Sequence, residues 1–566
     1  MTVRPQAVEA VEAPVAPPQV SFDADPARYR HWRVAIDGEV ARLVLDVDER
    51  GGVAPGYDLK LNSYDLGVDI ELHDAVQRLR FEHPEVGAVV ITAAHDRVFS
   101  AGANIPMLAQ SSHAWKVNFC KFTNETRNGI EDATAHSGQT YIAALNGTAS
   151  GGGYELALAC DRILLVDDGA SAVSLPEVPL LGVLAGTGGL TRLVDKRGVR
   201  RDLADVVATR AEGVRGQTAV TWRLVDEAIP RGRFDEAVDR CARTAAARSA
   251  RPRHARGIRL EPLRREVSDA ELVYAHVRAD LDRSAGVVAI TVAGPSGDQP
   301  HDVAGIHALG AAWWPLALAR ELDDLILRLR INELHLGTWV LRTRGDLAAV
   351  RAAEQALVEH ADDWLVNEVR HFLKRTLKRL DVTSRTLVCL VEPGSCFAGL
   401  LLELALAADR SFMLDGGGGA GDQPPVVVLG DTNFGAFPMG NDLTRLQTRY
   451  LGDAGQVERL RARIGTPLDA AAALELGLVT FAPDEIDWED EVRLTLEERT
   501  SFNPDALSGL EANCRFAGPE TMETKIFARL SAWQNWIFTR PNAAGPTGAL
   551  QRYGTGQRAT FDTTRV

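Results

Sequence analysis

NGTASGGGYELALACD, residues 146–161, stands between two short apolar runs, YIAAL (141–145) and ILLV (163–166). Runs of four or five apolar residues bounded by Asn and Gly read as buried strands. YELALAC (154–160), following three glycines, reads as a helix. Two buried strands bridged by a helix are the unit of a parallel α/β sheet, because parallel strands cannot be joined by a tight turn. Outward from this unit, VARLVLDV (40–47) and VGAVVIT (86–92) predict two more strands, and LGVDIELHDAVQRLR (66–80) has helical spacing. The polar, aromatic-bearing segment 107–140 predicts helices that cover a site. The stretch 233–281, heavily basic in places, reads as a helical linker or a solvated helix face.

The second half of the chain repeats the first. GYELALACDRILLV (153–166) matches LLELALAADRSFML (401–414), so that Glu155 aligns with Glu403 and Asp161 with Asp409, 248 residues apart. ELHDAVQRLR (71–80) matches ELDDLILRLR (321–330), 250 apart, and VARLVLD (40–46) matches VVAITVA (287–293), 247 apart. Three matches in nearly one register imply a tandem duplication of one α/β unit. The expected organisation is a flexible tail (1–21), a first unit with its helical linker (22–284), a second unit (285–500) and a helical C-terminal region (501–566).

The 566 residues are too many for one core, and the balance of 45% hydrophobic and 25% charged residues is that of a soluble globular chain. No apolar run approaches the ~20 residues of a membrane span. The N-terminus lacks the basic-then-apolar order of a secretory signal, and a reducing cytoplasm is expected. The six cysteines (120, 160, 241, 389, 396 and 514) form no CxxC pair, and the histidines show no metal-ligand spacing, so no metal is expected. A net charge of −15 argues against a nucleic-acid partner but leaves a local anion site open.

Three consecutive glycines at a helix start let bare N–H groups approach a ligand, where the helix dipole also favours negative charge. That is what an oxyanion hole requires. FSAGANI (99–105), after the strand VGAVVIT, offers a second turn of small residues. Beside it, Arg97 is a candidate for a phosphate contact, and Cys120 in the 107–140 segment is a candidate pocket residue. GGGGAG (416–421) formally satisfies a dinucleotide fingerprint, but the DQPP that follows cannot open a helix, so it reads as a loop.

Together FSAGANI, NGTASGGGYELALACD and SLPEVPLLGVLAGTGGLTRL (174–193) resemble, in order and spacing, the motifs of the enoyl-CoA hydratase/isomerase (crotonase) superfamily, over about Val34 to Ile229. The resemblance implies a crotonase-like ββα spiral, duplicated, with no cofactor because CoA belongs to the substrate. It places the backbone N–H groups of Ala103 and Gly152 on a thioester oxygen, and Ser100, Gly102, Asn104 and Gly151 along the substrate. Glu155 and Glu177 fall at its acid/base positions. The chain departs from the pattern at Asn104, where Asp is commoner, and at Val183–Ala185, where a proline stretch is usual. In the second copy Leu400 and Leu401 replace Gly152 and Gly153, and Pro425 replaces Glu177, so that copy reads as degenerate and structural.

A duplicated unit with one degenerate half, preceded by FDADPARYRHW (22–32) and followed by helices, resembles the benzoyl-CoA-dihydrodiol lyases within that superfamily. That resemblance implies hydrolytic ring opening of 2,3-epoxybenzoyl-CoA to 3,4-didehydroadipyl-CoA semialdehyde and formate, in aerobic benzoate breakdown. It also implies a homo-oligomer, a dimer being favoured because duplication internalises part of the interface, and a functional link to a benzoyl-CoA epoxidase. Another acyl-CoA hydratase or ring hydrolase, or a non-catalytic scaffold, are the alternatives.

Overall fold

The computed structural model describes residues 19–417 and 424–566, and each half is built on one sheet. In the first half β1 (Trp32–Asp37) and β2 (Val40–Leu45) form an antiparallel hairpin. Beyond β2 lie β3 (Ala88–Ala93), β4 (Thr140–Leu145), β5 (Arg162–Asp167) and β6 (Glu227–Pro230), each parallel to its neighbour. β3 and β4 are almost wholly buried, as strands covered on both faces must be. The crossovers are α1 (Leu66–Phe81), α2 (His113–Ser137) and α3 (Gly152–Ala159). The Asp65 carboxylate accepts the Gly67 N–H to start α1, Ser112 accepts from Trp115 to start α2, and left-handed Gly138 ends α2.

The second half repeats this plan. β7 (Glu266–Val267), β8 (Glu271–Val273) and β9 (Val277–Asp282) lead antiparallel into β10 (Val287–Ala293), and β11 (Thr338–Arg344), β12 (Thr386–Val391) and β13 (Arg410–Met413) continue in parallel. α4 (Trp314–Asn332) and α5 (Trp364–Asp381) take the places of α1 and α2. Side-chain bonds repeat as well. Tyr29 donates to Asp74, which also accepts from Arg78; Tyr274 donates to Asp324, which also accepts from Arg328. Glu71 accepts the backbone N–H groups of Arg30, His31 and Trp32, as Glu321 accepts that of His276. The fold is an α/β duplication, followed by a helical C-terminal region (Pro504–Arg515, Ser531–Phe538) that docks on the second unit through Arg515 to Asp409 and Thr386 to Glu511.

Three sequence expectations are corrected. The helix in 233–281 ends at Arg248, and residues 266–282 form β7–β9 instead. The alternation in Val277–Asp282 is a strand signal that the surrounding basic composition obscured. The second unit therefore begins before 285, because β9 and β10 are two arms of one hairpin, as β1 and β2 are. Order also begins earlier than Phe22: Val20 is buried and exchanges two hydrogen bonds with the Asn332 side chain. The GGGGAG loop is described only to Gly417, and the rest of it, like residues 1–18, lies outside the described residues.

α1 and α2 of the first unit pack on α4 and α5 of the second, and the cores interlock. Phe81 belongs to the core of the second unit, while Leu327 and Ile331 belong to that of the first. Around them run buried ion pairs. Arg80, fully buried, donates to Glu368 (2.6 Å) and Asp132 (2.9 Å), and Glu368 accepts a second guanidinium from Arg251 (2.8 Å). Reciprocally, Arg330 reaches back to Glu125 (2.7 and 2.8 Å), which is shared with Arg379. Removing one member of such a set strands the others without their counter-charge. Glu368→Gln should lower unfolding free energy by about 3 kcal/mol, seen as a fall in the urea midpoint at unchanged slope. An unaltered midpoint would show the network to be energetically idle.

Candidate active site

The loops leaving the carboxyl ends of β2, β3, β4 and β5 form a second, smaller layer. Thr148–Ser150 runs parallel between Val98–Ser100 and Val173–Ser174, and Ser63–Tyr64 runs parallel to Gly102–Ala103. These short pairings set the turn that leads into α3. Gly102 has φ +86°, and a side chain there would meet the backbone N of Gly152 at 2.6 Å. The segments carrying the Ala103 and Gly152 amides are thus in direct backbone contact. Gly152 opens α3, where first-turn N–H groups lack intrahelical acceptors. A methyl on Gly152 would lie 2.0 Å from the hydroxyl of Tyr64, so glycine is required by close approach.

Several residues proposed to line the substrate have their side chains committed to the turn itself. Ser100 Oγ donates to Asn62 O (2.8 Å) and accepts the Gly102 N–H (3.0 Å). Asn104 donates to Asp58 O and Ser63 Oγ and caps the next helix by accepting the Met107 N–H (2.9 Å). The Asn amide accepts at the cap through its oxygen and donates to the Asp58 carbonyl through its nitrogen, a donation that an ionised Asp of the same size could not make. Arg97 is exposed, and its backbone carbonyl accepts the Thr148 N–H. Cys120 lies on α2, half-buried; burial, then the nearby Glu155 and Asp69, push its thiol up to about 11, so at neutral pH it is a thiol rather than a thiolate.

The two glutamates differ in kind. Glu155 on α3 is buried, and its carboxylate accepts the N–H groups of Thr187 (3.0 Å) and Gly189 (2.7 Å) and the Thr187 hydroxyl. It ties the 187–189 loop to α3. The repeat shows a parallel use: Glu403 accepts from Asn433 (2.7 Å) and Arg445 (2.9 Å). Glu177, at the start of the short helix Glu177–Leu181, is half-buried against Gly151, and its Oε2 has no hydrogen-bond partner among the described residues. Burial, with a smaller contribution from Glu155, pushes its carboxyl up to about 7. Glu177 is therefore able to hold or release a proton at neutral pH.

Sequence reasoning missed Tyr64, Thr187 and the apolar run beyond Glu177. Val178, Leu180, Leu181, Val183 and Leu184 are all exposed, forming an apolar rim beside an ionisable group. Their sequence signal, VPLLGVL, is as apolar as a core segment, and only the structure places it outside. The structure also gathers Asp132, His136 and His371. Asp132 already faces Arg80, Lys374 and Arg375, and a divalent ion would add charge to three cations, so we assign no metal there.

The enoyl-CoA hydratase/isomerase family model matches residues 59–286. A benzoyl-CoA-dihydrodiol lyase from Aromatoleum evansii is 56% identical over 547 residues, 97% of this chain and 98% of the relative. The fatty acid oxidation complex subunit alpha of Aliivibrio fischeri is 29% identical over 195 residues, 34% of this chain and 26% of that one. Among solved structures, an enoyl-CoA hydratase from Geobacillus kaustophilus is similar at 33% identity and TM-score 0.34, over 39% of this chain and 75% of that one. A carnitinyl-CoA hydratase from Mycobacterium avium is similar at 28% identity and TM-score 0.30, over 39% and 77%.

The raised carboxyl makes a prediction independent of any substrate. A folded-state value of about 7 against an unfolded 4.5 means the folded chain binds this proton more tightly. The resulting stabilisation is complete below the unfolded value and is lost as pH rises through the folded one. Glu177→Gln lacks this loss, so its melting temperature relative to the native protein should rise between about pH 5 and pH 8. A difference that does not change with pH would show Glu177 to be unperturbed.

Proposed function

The chain belongs to the enoyl-CoA hydratase/isomerase family and, over 97% of its length, groups with the benzoyl-CoA-dihydrodiol lyases; from that premise we propose that it opens the oxygenated ring of 2,3-epoxybenzoyl-CoA by hydrolytic carbon–carbon cleavage. The products are 3,4-didehydroadipyl-CoA semialdehyde and formate, and two waters balance the reaction. The observation that carries this reading is the Glu177 carboxylate, one oxygen of which has no partner among the described residues, beside Gly151 on the turn that carries the Gly152 amide and touches the segment of Ala103. The apolar rim of Val178, Leu180 and Leu181 suits an aromatic acyl group.

In this proposal the Ala103 and Gly152 N–H groups hold the thioester oxygen. The polarised carbonyl withdraws electrons from the neighbouring ring carbons, which makes them open to water. Opening the epoxide moves the C–O electron pair onto oxygen, which takes a proton, while the attacking water gives one up. A carboxyl titrating near neutrality serves either transfer, and Glu177 is the group with that property. When the ring carbon–carbon bond breaks, the same pair of amides accepts the charge delocalised onto the thioester. Glu155, with its three donors from 187–189, acts as a positioning residue that keeps the loop beside Glu177 in place.

The test is formate release from purified protein given enzymatically prepared 2,3-epoxybenzoyl-CoA, with Glu177→Gln in parallel. The native protein should release one formate per thioester. The variant should lose about 10²–10⁴-fold in turnover while binding benzoyl-CoA within a few-fold of native. Clean hydration of crotonyl-CoA without formate would replace this reading with a simple hydratase. Undiminished turnover in the variant would remove Glu177 from the mechanism.

A further inference from the structure

Tyr64 is 4% exposed, and its hydroxyl is buried with no hydrogen-bond partner among the described residues. The Thr187 hydroxyl lies nearby but donates to Glu155, and no described acceptor meets the Tyr64 oxygen with hydrogen-bonding geometry. An unsatisfied buried hydroxyl is destabilising, and phenylalanine would fill the same space without that cost. The ring itself is well packed, 5.9 Å from that of Phe119 and 5.3 Å beneath the Arg127 guanidinium. The rest of the side chain thus explains the ring and leaves the hydroxyl unexplained.

Its position supplies a reason. The hydroxyl lies against the Cα of Gly152, near Glu155 and Thr187. Burial raises its pKa well above the ordinary phenol value, so it remains a donor at neutral pH. If the Gly152 N–H holds the thioester oxygen, the nearest other oxygen of the substrate is the one on the ring carbon next to the carbonyl. An ortho ring oxygen therefore falls beside Gly152, where Tyr64 has a free proton. The duplication agrees: in the 250-residue register of α1 and α4, Tyr64 is matched by Trp314, in the copy whose Gly152 has become Leu400.

We infer that Tyr64 is a specificity-determining residue whose hydroxyl donates a hydrogen bond to an oxygen at the ortho position of an aromatic acyl-CoA. The inference rests on the proposed aromatic thioester substrate, and it concerns recognition rather than cleavage. Benzoyl-CoA and 2-hydroxybenzoyl-CoA are stable probes that differ only in that oxygen.

The experiment measures calorimetric affinities of both thioesters for the native protein and for Tyr64→Phe, with melting temperatures alongside. The native protein should prefer the 2-hydroxy ester by about five- to tenfold, the worth of one net hydrogen bond. Tyr64→Phe should bind both esters equally, with benzoyl-CoA affinity unchanged and a melting temperature equal to or above native. A native protein without the preference, or a variant that keeps it, overturns the inference. If the preference vanishes in the variant while the native protein releases no formate, the ring-opening reading falls and the Tyr64 assignment stands.

Discussion

α2 is the element through which the two halves of the chain act on the site. One face of this helix carries Glu125 and Asp132 into the buried ion pairs with Arg330, Arg379, Arg80 and Arg375. From other positions Asn124 reaches the Gly186 carbonyl (3.1 Å), and Asn128 and Glu131 hold Arg192. Arg192 in turn donates to the Thr187 carbonyl. The interface is therefore linked to the loop from two sides: packing against the second unit holds α2, α2 holds residues 186–192, and Glu155 ties the same loop to α3.

The local electrostatics then divide two glutamates that look alike in sequence. Glu155 meets three donors, whereas Glu177 has one carboxylate oxygen without a donor among the described residues, in a half-buried position. Burial disfavours the charged form of a carboxylate, and it is burial that raises Glu177.

The second unit keeps the scaffold and discards the cradle. Leu400 and Leu401 occupy the glycine positions and are buried in the core of that unit. Glu403 survives as the buried partner of Arg445, which also pairs with Asp381, and Glu354 from the helix Leu347–Glu359 accepts the N–H and hydroxyl of Thr432. Carboxylates remain there because removing one member of a buried polar set costs more than keeping it. What the degenerate copy supplies is the face on which α1 and α2 pack.

The sequence by itself determined the parallel α/β units, the duplication and the glycine turn. Each of these depends on local patterning or on spacing along the chain, as in YIAAL, in GGG before YELALAC, and in the 248-residue echo of Glu155 in Glu403. The strands of 266–282 were not legible, because a short alternation inside basic composition carries little signal until a hairpin partner is known. The tertiary structure alone decided that Glu155 meets three donors while one Glu177 oxygen meets none among the described residues, that Ser100 and Asn104 hold the turn, and that the Tyr64 hydroxyl lies against Gly152 with no partner among the described residues. The physical reason is that these properties depend on partners distant in sequence: Thr187 lies 32 residues from Glu155, and the Cα against which Tyr64 packs is more than eighty residues away. Hydrogen-bond satisfaction and burial are properties of the assembled neighbourhood, and no residue's own identity encodes them.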